Sequence, residues 1–584
     1  MNQLIVQAKT KRGCLNKMLQ ENNAINLDLL RDKWIPVTEI LEREELGCGA
    51  EAKTVRYAGL PERISYEELL TSSKKYAVSH PRSDIEFWTE ALCISMTQVI
   101  FTPLDAWETM DMLGEPMSKE HFLQGVEDKR FKDFFCVGGE TPFMQSKWPF
   151  KKLAEKDLEK QRQGVRKVFP GYSDSKIHFT KSGEMSAVCP GCFAAAAYGT
   201  ASVVPMGGAG YKVNLNPRGV TVFVDDPDFR KKIWKNVIHK DNQLIKNYLE
   251  KDRIDKPIWA MSEEEVKLAS TEVVNGKATI PLRNIGLFCG LFWQPVSVLV
   301  EWRVNEDKDV VCDCCGKFSE ILSSDAFLCK SHWGNTKGAP WIHPHMPYVT
   351  YVPKETKTVA LRACEFKGYR GFHPVWSQLL DIIPPDGGSA EGVVAPEWSA
   401  VVRNYKENIG DIEENDAVSL SIGGYVFKRD GATNILRQNR FESVSLSGAR
   451  KLEGLNDWGL GKVERVVSNG LKIASYVRGA VFGVTKTLAS KGLSEKASDA
   501  QSSFFSMTEL VMRTAVHRAG GMSEKDFKES LEGWLKMLKR DAIDVYDSAL
   551  KKYSQSDRTR QAVAVGRTRL IKNISMLIKN TRES

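Results

Sequence analysis

Cys189-Pro190-Gly191-Cys192 and, 119 residues further on, Cys312-Asp313-Cys314-Cys315-Gly316 are the two stretches on which the reading of this chain turns. A C-x-x-C turn lets two thiolates reach one tetrahedral ion, and two such turns complete a closed four-sulfur zinc shell. Cys189, Cys192, Cys312 and Cys315 are therefore the expected ligands of one structural zinc. Cys314 could replace Cys312 or Cys315. Four protein ligands leave no open position for water or substrate, so the ion would pin two distant loops together and hydrolyse nothing. Glycine beside each knuckle supplies the permissive backbone such turns need.

Outward from the knuckles, the 584 residues exceed what a single core accommodates, so more than one domain is expected. No apolar run is long enough to span a bilayer and the first residues lack a signal-peptide pattern. A cytoplasmic protein with no membrane partner is expected. The seven of the 12 cysteines outside the knuckles, Cys93, Cys289 and Cys364 among them, read as small reduced core residues.

Charge divides unevenly along the chain. Residues 461–584 carry 23 Lys and Arg against 13 Asp and Glu, whereas everything before is nearly balanced at 59 against 61. That asymmetry points to a polyanion, with a solvated helical surface as the alternative. The same region shows helical periodicity over Lys462–Ser490, Glu495–Arg518, Glu524–Tyr553 and Arg558–Asn580, separated by short breaks at Lys491-Gly492, Gly520-Gly521 and 554–557. Four long helices with short connections predict an antiparallel bundle. In the last, Val563, Leu570, Ile574, Leu577 and Ile578 share the core face, and Arg558, Arg569, Lys572 and Lys579 cluster opposite, where they could track phosphates.

The expected fold class is α+β: residues 1–25 a polar extension, 26–452 a large mixed α/β domain carrying the zinc site, and 453–584 the four-helix bundle. Within the middle segment Pro81–Gln98 reads as a helix, KATIPL (277–282) and SVLVEW (297–302) as strands, and 384–395 as a flexible connection. Catalytic signatures are missing: the chain has no H-E-x-x-H, P-loop, G-x-S-x-G or kinase set. His343-Pro344-His345 favours a structural role, because alternating residues of an extended strand point to opposite faces. The cluster Gly207-Gly208-Ala209-Gly210 lacks dinucleotide-fingerprint spacing and suits either a tight turn or close approach of backbone to a ligand.

Taken in order, WIPV (34–37), PRSD (81–84), TPFMQ (141–145), the first knuckle, PMGGAGYK (205–212), GLFWQP (290–295), the second knuckle, the His343-Pro344-His345 run, GGY (423–425) and the terminal bundle resemble CasA, the large subunit of the type I-E CRISPR surveillance complex Cascade. The resemblance implies a non-catalytic subunit of a complex built on CRISPR RNA. Such a subunit inspects double-stranded DNA for the protospacer-adjacent motif, promotes duplex opening and docks a separate nuclease-helicase, while guide pairing reads the sequence. It also implies residues. The family's motif-reading glycine loop falls on Gly207, Gly208, Ala209 and Gly210, with Ala209 where the family pattern has glycine. The contact lysine falls on Lys330, with Lys337 the alternative. The wedge hairpin falls on Lys428, Arg429, Asp430, Gly431 and Ala432, an Asp-Gly turn signal in which Arg429 stands in for the family's glutamine. The loop from Tyr172 to Gly183, with His178 and Phe179, corresponds to the family's attachment to the guide-RNA end. Rival readings are a free-standing DNA-binding regulator and, less favoured, a zinc hydrolase.

Overall fold

The computed structural model describes residues 27–46, 52–153, 155–169, 185–203, 215–274, 277–330, 335–351, 360–368, 372–384, 396–409, 419–429, 436–447, 460–488, 493–554 and 557–583. Its centre is the helix Ser83–Ile100, buried around almost its whole circumference. A helix apolar on every side has to be wrapped by other elements. Here the helix Pro190–Val203 lies on one side: a Cβ on Gly199 would collide with the Trp88 ring, so glycine lets the two axes approach. On another side lies the sheet of strands Leu436–Ser447, Ser419–Arg429 and Thr221–Asp225. Gly423 serves the same purpose there against Phe87.

Two of the short motifs meet in this core. Tyr425 accepts from Trp88 Nε1 at 3.0 Å and donates to Asp84 Oδ2 at 3.2 Å, and Asp84 is bracketed by Arg82 at 2.6 and 3.0 Å. PRSD and GGY are thus halves of one buried polar network, satisfied throughout and so able to fix the register of sheet on helix. Gln145 of TPFMQ stitches a strand edge in the same way, accepting from Val300 N–H and donating to the Val137 carbonyl, both at 2.9 Å.

Sequence reading finds the elements well. The helix expected over 81–98 spans Ser83–Ile100, and the strands expected at 277–282 and 297–302 are Lys277–Pro281 and Val296–Val304. The bundle helices are Leu460–Thr487, Leu493–Ala519, Glu524–Leu550 and Asp557–Glu583. In the last of them Val563, Leu570, Ile574 and Ile578 are buried, with Leu577 packed beside them. The bundle is continuous with the rest of the core. Trp376 stacks edge-on to Phe505, and Arg513 on the second helix reaches Glu442 at 2.8 Å and the Ser443 carbonyl at 2.6 Å on the sheet.

Two expectations need correction. His343-Pro344-His345 is a turn, closed by Met346 N–H on the His343 carbonyl (3.2 Å), not an extended strand, because Pro344 sits where the chain reverses. Its rings lie on the same side, 5.4 Å apart. Both are buried and work as hydrogen-bonding core groups: His345 Nε2 meets the Asn236 carbonyl at 2.9 Å, and His345 N–H donates to His343 Nδ1 at 3.2 Å. The expected structural role stands on burial, not on strand geometry. Secondly, Arg429 pairs with Leu436, leaving six residues between the paired strands, so a two-residue turn at Asp430-Gly431 does not fit the register. The slip between Val426 and Phe427 shortens the gap by one residue and does not close it. Among the described residues no helix is long and apolar enough to cross a membrane.

A four-cysteine centre and the elements that leave it

The first knuckle opens a helix. Cys189 precedes Pro190–Val203, its carbonyl accepts from Phe193 N–H at 3.0 Å, and Pro190 takes the first helical position, where a missing N–H costs nothing. Gly191 is needed for close packing: a Cβ there would lie 3.1 Å from the Trp34 carbonyl oxygen and 3.2 Å from Trp34 Cβ. The second knuckle closes on Gly316 at φ +68°, the left-handed region that favours glycine, with Gly316 N–H on the Cys312 carbonyl at 2.7 Å.

These turns bring Cys189, Cys192, Cys312 and Cys315 together, all buried, with their sulfurs within 4.8 Å of one another. The donor set fits a thiophilic divalent ion, since zinc–sulfur bonds of about 2.3 Å set the sulfurs of a tetrahedron roughly 3.8 Å apart. Several groups hold the pair of knuckles in place. Asp313 Oδ2 accepts from Ser186 N–H (2.6 Å), Ser186 Oγ (3.1 Å) and Ala187 N–H (2.9 Å), and Val188 exchanges two 2.9 Å backbone bonds with Ser323. Arg63 aims its guanidinium at the sulfurs, 3.0 Å from Cys315 and 3.7 Å from Cys189. Cys189 N–H points at Cys312 Sγ, 3.3 Å away. Such donors favour thiolates, and a four-thiolate zinc shell carries a net negative charge that Arg63 partly offsets. Hydrogen bonds from Cys189, Cys192 and Cys312, with Arg63 adding to them, hold Cys315 far below the ordinary thiol range against the cost of burial. Cys192 is pushed up, first by its hydrogen bond to Cys189.

Arg63 and Asp313 were not singled out by sequence. Asp313 lies inside the second knuckle and was legible as a carboxylate in a turn, but Arg63 comes from 126 residues before Cys189 and carries no local signal. Cys93, Cys289 and Cys364 are buried free thiols, and burial pushes Cys364 up to about 12.

Two elements start at the centre and run away from it together. The Pro190–Val203 helix covers about 21 Å at 1.5 Å per residue, and the seven steps from Ser323 to Lys330 cover about 23 Å of strand. Near their far ends one segment bridges them: Thr200 Oγ1 donates to the Val168 carbonyl (2.8 Å), and Leu328 N–H to the Gln161 carbonyl (3.0 Å). Residues 162–164 also pair with 325–327.

Lys330 ends the strand Ile321–Lys330, opposite Val296. Its alternative, Lys337, is exposed on the short strand Asn335–Lys337. Gly207, Gly208, Ala209 and Gly210, and His178 and Phe179, lie outside the described residues. Their flanks do not: Arg218 N–H reaches the Val203 carbonyl at 2.7 Å, closing the base of the glycine segment at the far end of the knuckle helix, and residue 169 ends the bridging segment. Lys428 and Arg429 end their strand, while Asp430, Gly431 and Ala432 lie outside the described residues. Arg569, Lys572 and Lys579 are exposed on the last helix, which also carries Arg558.

An α+β body joined to a terminal four-helix bundle is a fold this chain shares with CRISPR-associated proteins of known structure. Cse1 from Acidimicrobium ferrooxidans superposes with a TM-score of 0.61 at 13% identity, covering 96% of this chain and 99% of that one. CasA (Cse1) from Thermus thermophilus gives 0.61 at 14% identity, covering 94% and 99%. A chain of a structure described as a CRISPR RNA-guided surveillance complex gives 0.54 at 14% identity, covering 93% and 99%. The sequence model for CRISPR-associated protein Cse1 matches residues 53–545. The chain therefore belongs to the Cse1 family, also called CasA, of the type I-E CRISPR systems.

Proposed function

We propose that this chain is the large, non-catalytic subunit of a Cascade complex, that it reads the protospacer-adjacent motif in duplex DNA and promotes duplex opening for R-loop formation, and that it helps recruit a nuclease-helicase in trans. Family membership over residues 53–545 supports the general role. The observation that carries the finer reading is the pair of elements leaving the cysteine centre. The glycine segment begins 15 residues after the first knuckle and Lys330 lies 15 after the second, and the elements leading to both are bridged near their far ends. One zinc at Cys189, Cys192, Cys312 and Cys315 would hold both reading segments in register. The fully protein-ligated shell argues against a hydrolase.

Lys330→Ala and Gly208→Asp in the assembled complex test this. Each should weaken binding to duplex targets bearing the correct motif by about 1–3 kcal/mol, the usual worth of one specific base-pair interaction, and leave single-stranded complementary targets almost unaffected. Arg429→Ala should slow duplex opening more than initial binding. Equal weakening on single- and double-stranded targets would mean that these residues maintain assembly and read nothing. A free-standing regulator predicts recovery from the host without RNA or partner proteins.

A further inference from the structure

Cys314 and His80 take no part in the four-cysteine shell, yet both are buried against it. His80 Nε2 lies 3.5 Å from Cys192 Sγ and 3.8 Å from Cys314 Sγ, and the ligand atoms of His80, Cys192 and Cys314 all fall within 4.8 Å of one another. We propose that these three residues form a second metal site, in which Cys192 bridges two zinc-class divalent ions and Cys314 and His80 complete the protein ligands of the second. The proposal rests on the reading of the first centre as a zinc site.

Geometry supports it first. With zinc–sulfur bonds of about 2.3 Å and zinc–nitrogen bonds of about 2.0–2.1 Å, tetrahedral coordination separates sulfur from nitrogen by roughly 3.5 Å, close to both observed distances. A cavity of about 10 Å³, the volume of roughly one water, touches His80 and Cys192 together with Cys189 and Cys315, and not Cys314. It is too small to admit a substrate, so the second ion is structural. Charge also closes. Five thiolates with two divalent ions leave one negative charge, and Arg63 at 3.0 Å from Cys315 supplies one positive. On binding, the Cys314 thiol proton passes to solvent and the sulfur takes the metal. The imidazole tautomer required has Nδ1–H on the Arg82 carbonyl, 3.3 Å away, which leaves the Nε2 lone pair toward the sulfurs in the usual arrangement of a metal-bound histidine. Arg82 N–H also approaches Nδ1, at 3.0 Å. That approach favours the opposite tautomer, in which His80 merely donates to the sulfurs. Metal content separates the two.

The experiment is elemental analysis of the full-length chain, purified in reducing buffer and equilibrated with zinc, beside Cys314→Ser and His80→Gln, with circular dichroism to establish that each variant is folded. About two zinc ions per chain are expected in the unmodified protein and about one in either variant. Cadmium-113 NMR of the exchanged protein should show two resonances coupled through the shared sulfur, the second absent in Cys314→Ser. One ion per chain in all three proteins overturns the second site and leaves the first intact. No metal in folded protein overturns the first reading as well. A single ion that disappears in Cys314→Ser places the metal on the wrong ligand set and overturns both assignments. Because serine at 314 could disturb the knuckle, the His80 variant, which lies 234 residues away in sequence, provides the independent reading.

Discussion

Replacing Glu442 by Ala should loosen the bundle from the sheet that carries the hairpin. Glu442 is 7% exposed and sits between two arginines, one on its own strand and one on the bundle: Arg440, and Arg513 at 2.8 Å. Breaking a buried ion pair by removing one partner costs about 3–5 kcal/mol, because the other charge is stranded. Here the stranded charges keep some relief. Arg513 retains Glu509 at 3.0 Å and the Ser443 carbonyl, Arg440 retains the His373 carbonyl at 2.5 Å, and their side chains are 35% and 21% exposed. The destabilisation should therefore fall to about 2–3 kcal/mol. Glu509→Ala removes only a half-exposed pair on one helix and should cost about 0.3–0.5 kcal/mol. Guanidinium unfolding followed by circular dichroism gives the magnitudes. Hydrogen exchange should show protection falling in 436–447 and 493–519 together, with the central helix Ser83–Ile100 unaffected. A destabilisation for Glu442→Ala below about 0.5 kcal/mol, or additive effects in the Glu442→Ala, Arg513→Ala double-mutant cycle, would refute the view that this carboxylate fastens bundle to body.

Other outcomes follow from the site, the bundle and the buried histidines. Double serine substitution at Cys189 and Cys192, or at Cys312 and Cys315, should yield misfolded, zinc-free protein by metal analysis and circular dichroism, since zinc binding of about 10 kcal/mol is coupled to folding. Removing Arg558, Arg569, Lys572 and Lys579 together should weaken DNA binding at every sequence and reduce the salt dependence by up to about three to four units of log–log slope; an unchanged slope would mean the face is merely solvated. Burial lowers His345 to about 4, and burial together with the His345 charge holds His343 well below the ordinary histidine value. Below the ordinary histidine value of about 6.5 the unfolded chain binds protons that the folded one refuses, so this stability is present above that pH and is lost as pH falls toward 4. His345→Gln should flatten urea-measured stability between those limits, and an unaltered acid limb would contradict the assignment.

What the sequence disclosed and what it withheld separate along the range of the interactions involved. The bundle helices and the central helix were readable because periodicity and glycine breaks are local signals, and the four clustered cysteines because a C-x-x-C turn carries its own geometry. The groups that tune the centre were not readable in that way. Arg63 and His80 reach it from 126 residues before Cys189 and 112 before Cys192, as single residues of common types in no motif. Several of the motifs that carry the family resemblance prove to be packing devices: Gly423 admits Phe87, Gly290 admits Trp341, and Asp84 with Tyr425 closes a buried network. Their value as signposts comes from the fold they enforce. The residues proposed to touch DNA have weaker signatures because binding to a groove or phosphate asks only for glycine, lysine or arginine at the right place in space. In the proposed reading the cysteine centre would set that place for the glycine segment and Lys330, so the knuckles would give indirect access to them. The two errors share a cause in the same terms. Pro344 turns the chain where a strand was expected, and the pairing of Arg429 with Leu436 sets the hairpin's span; such paths, unlike element type, are decided by partners beyond the local motif.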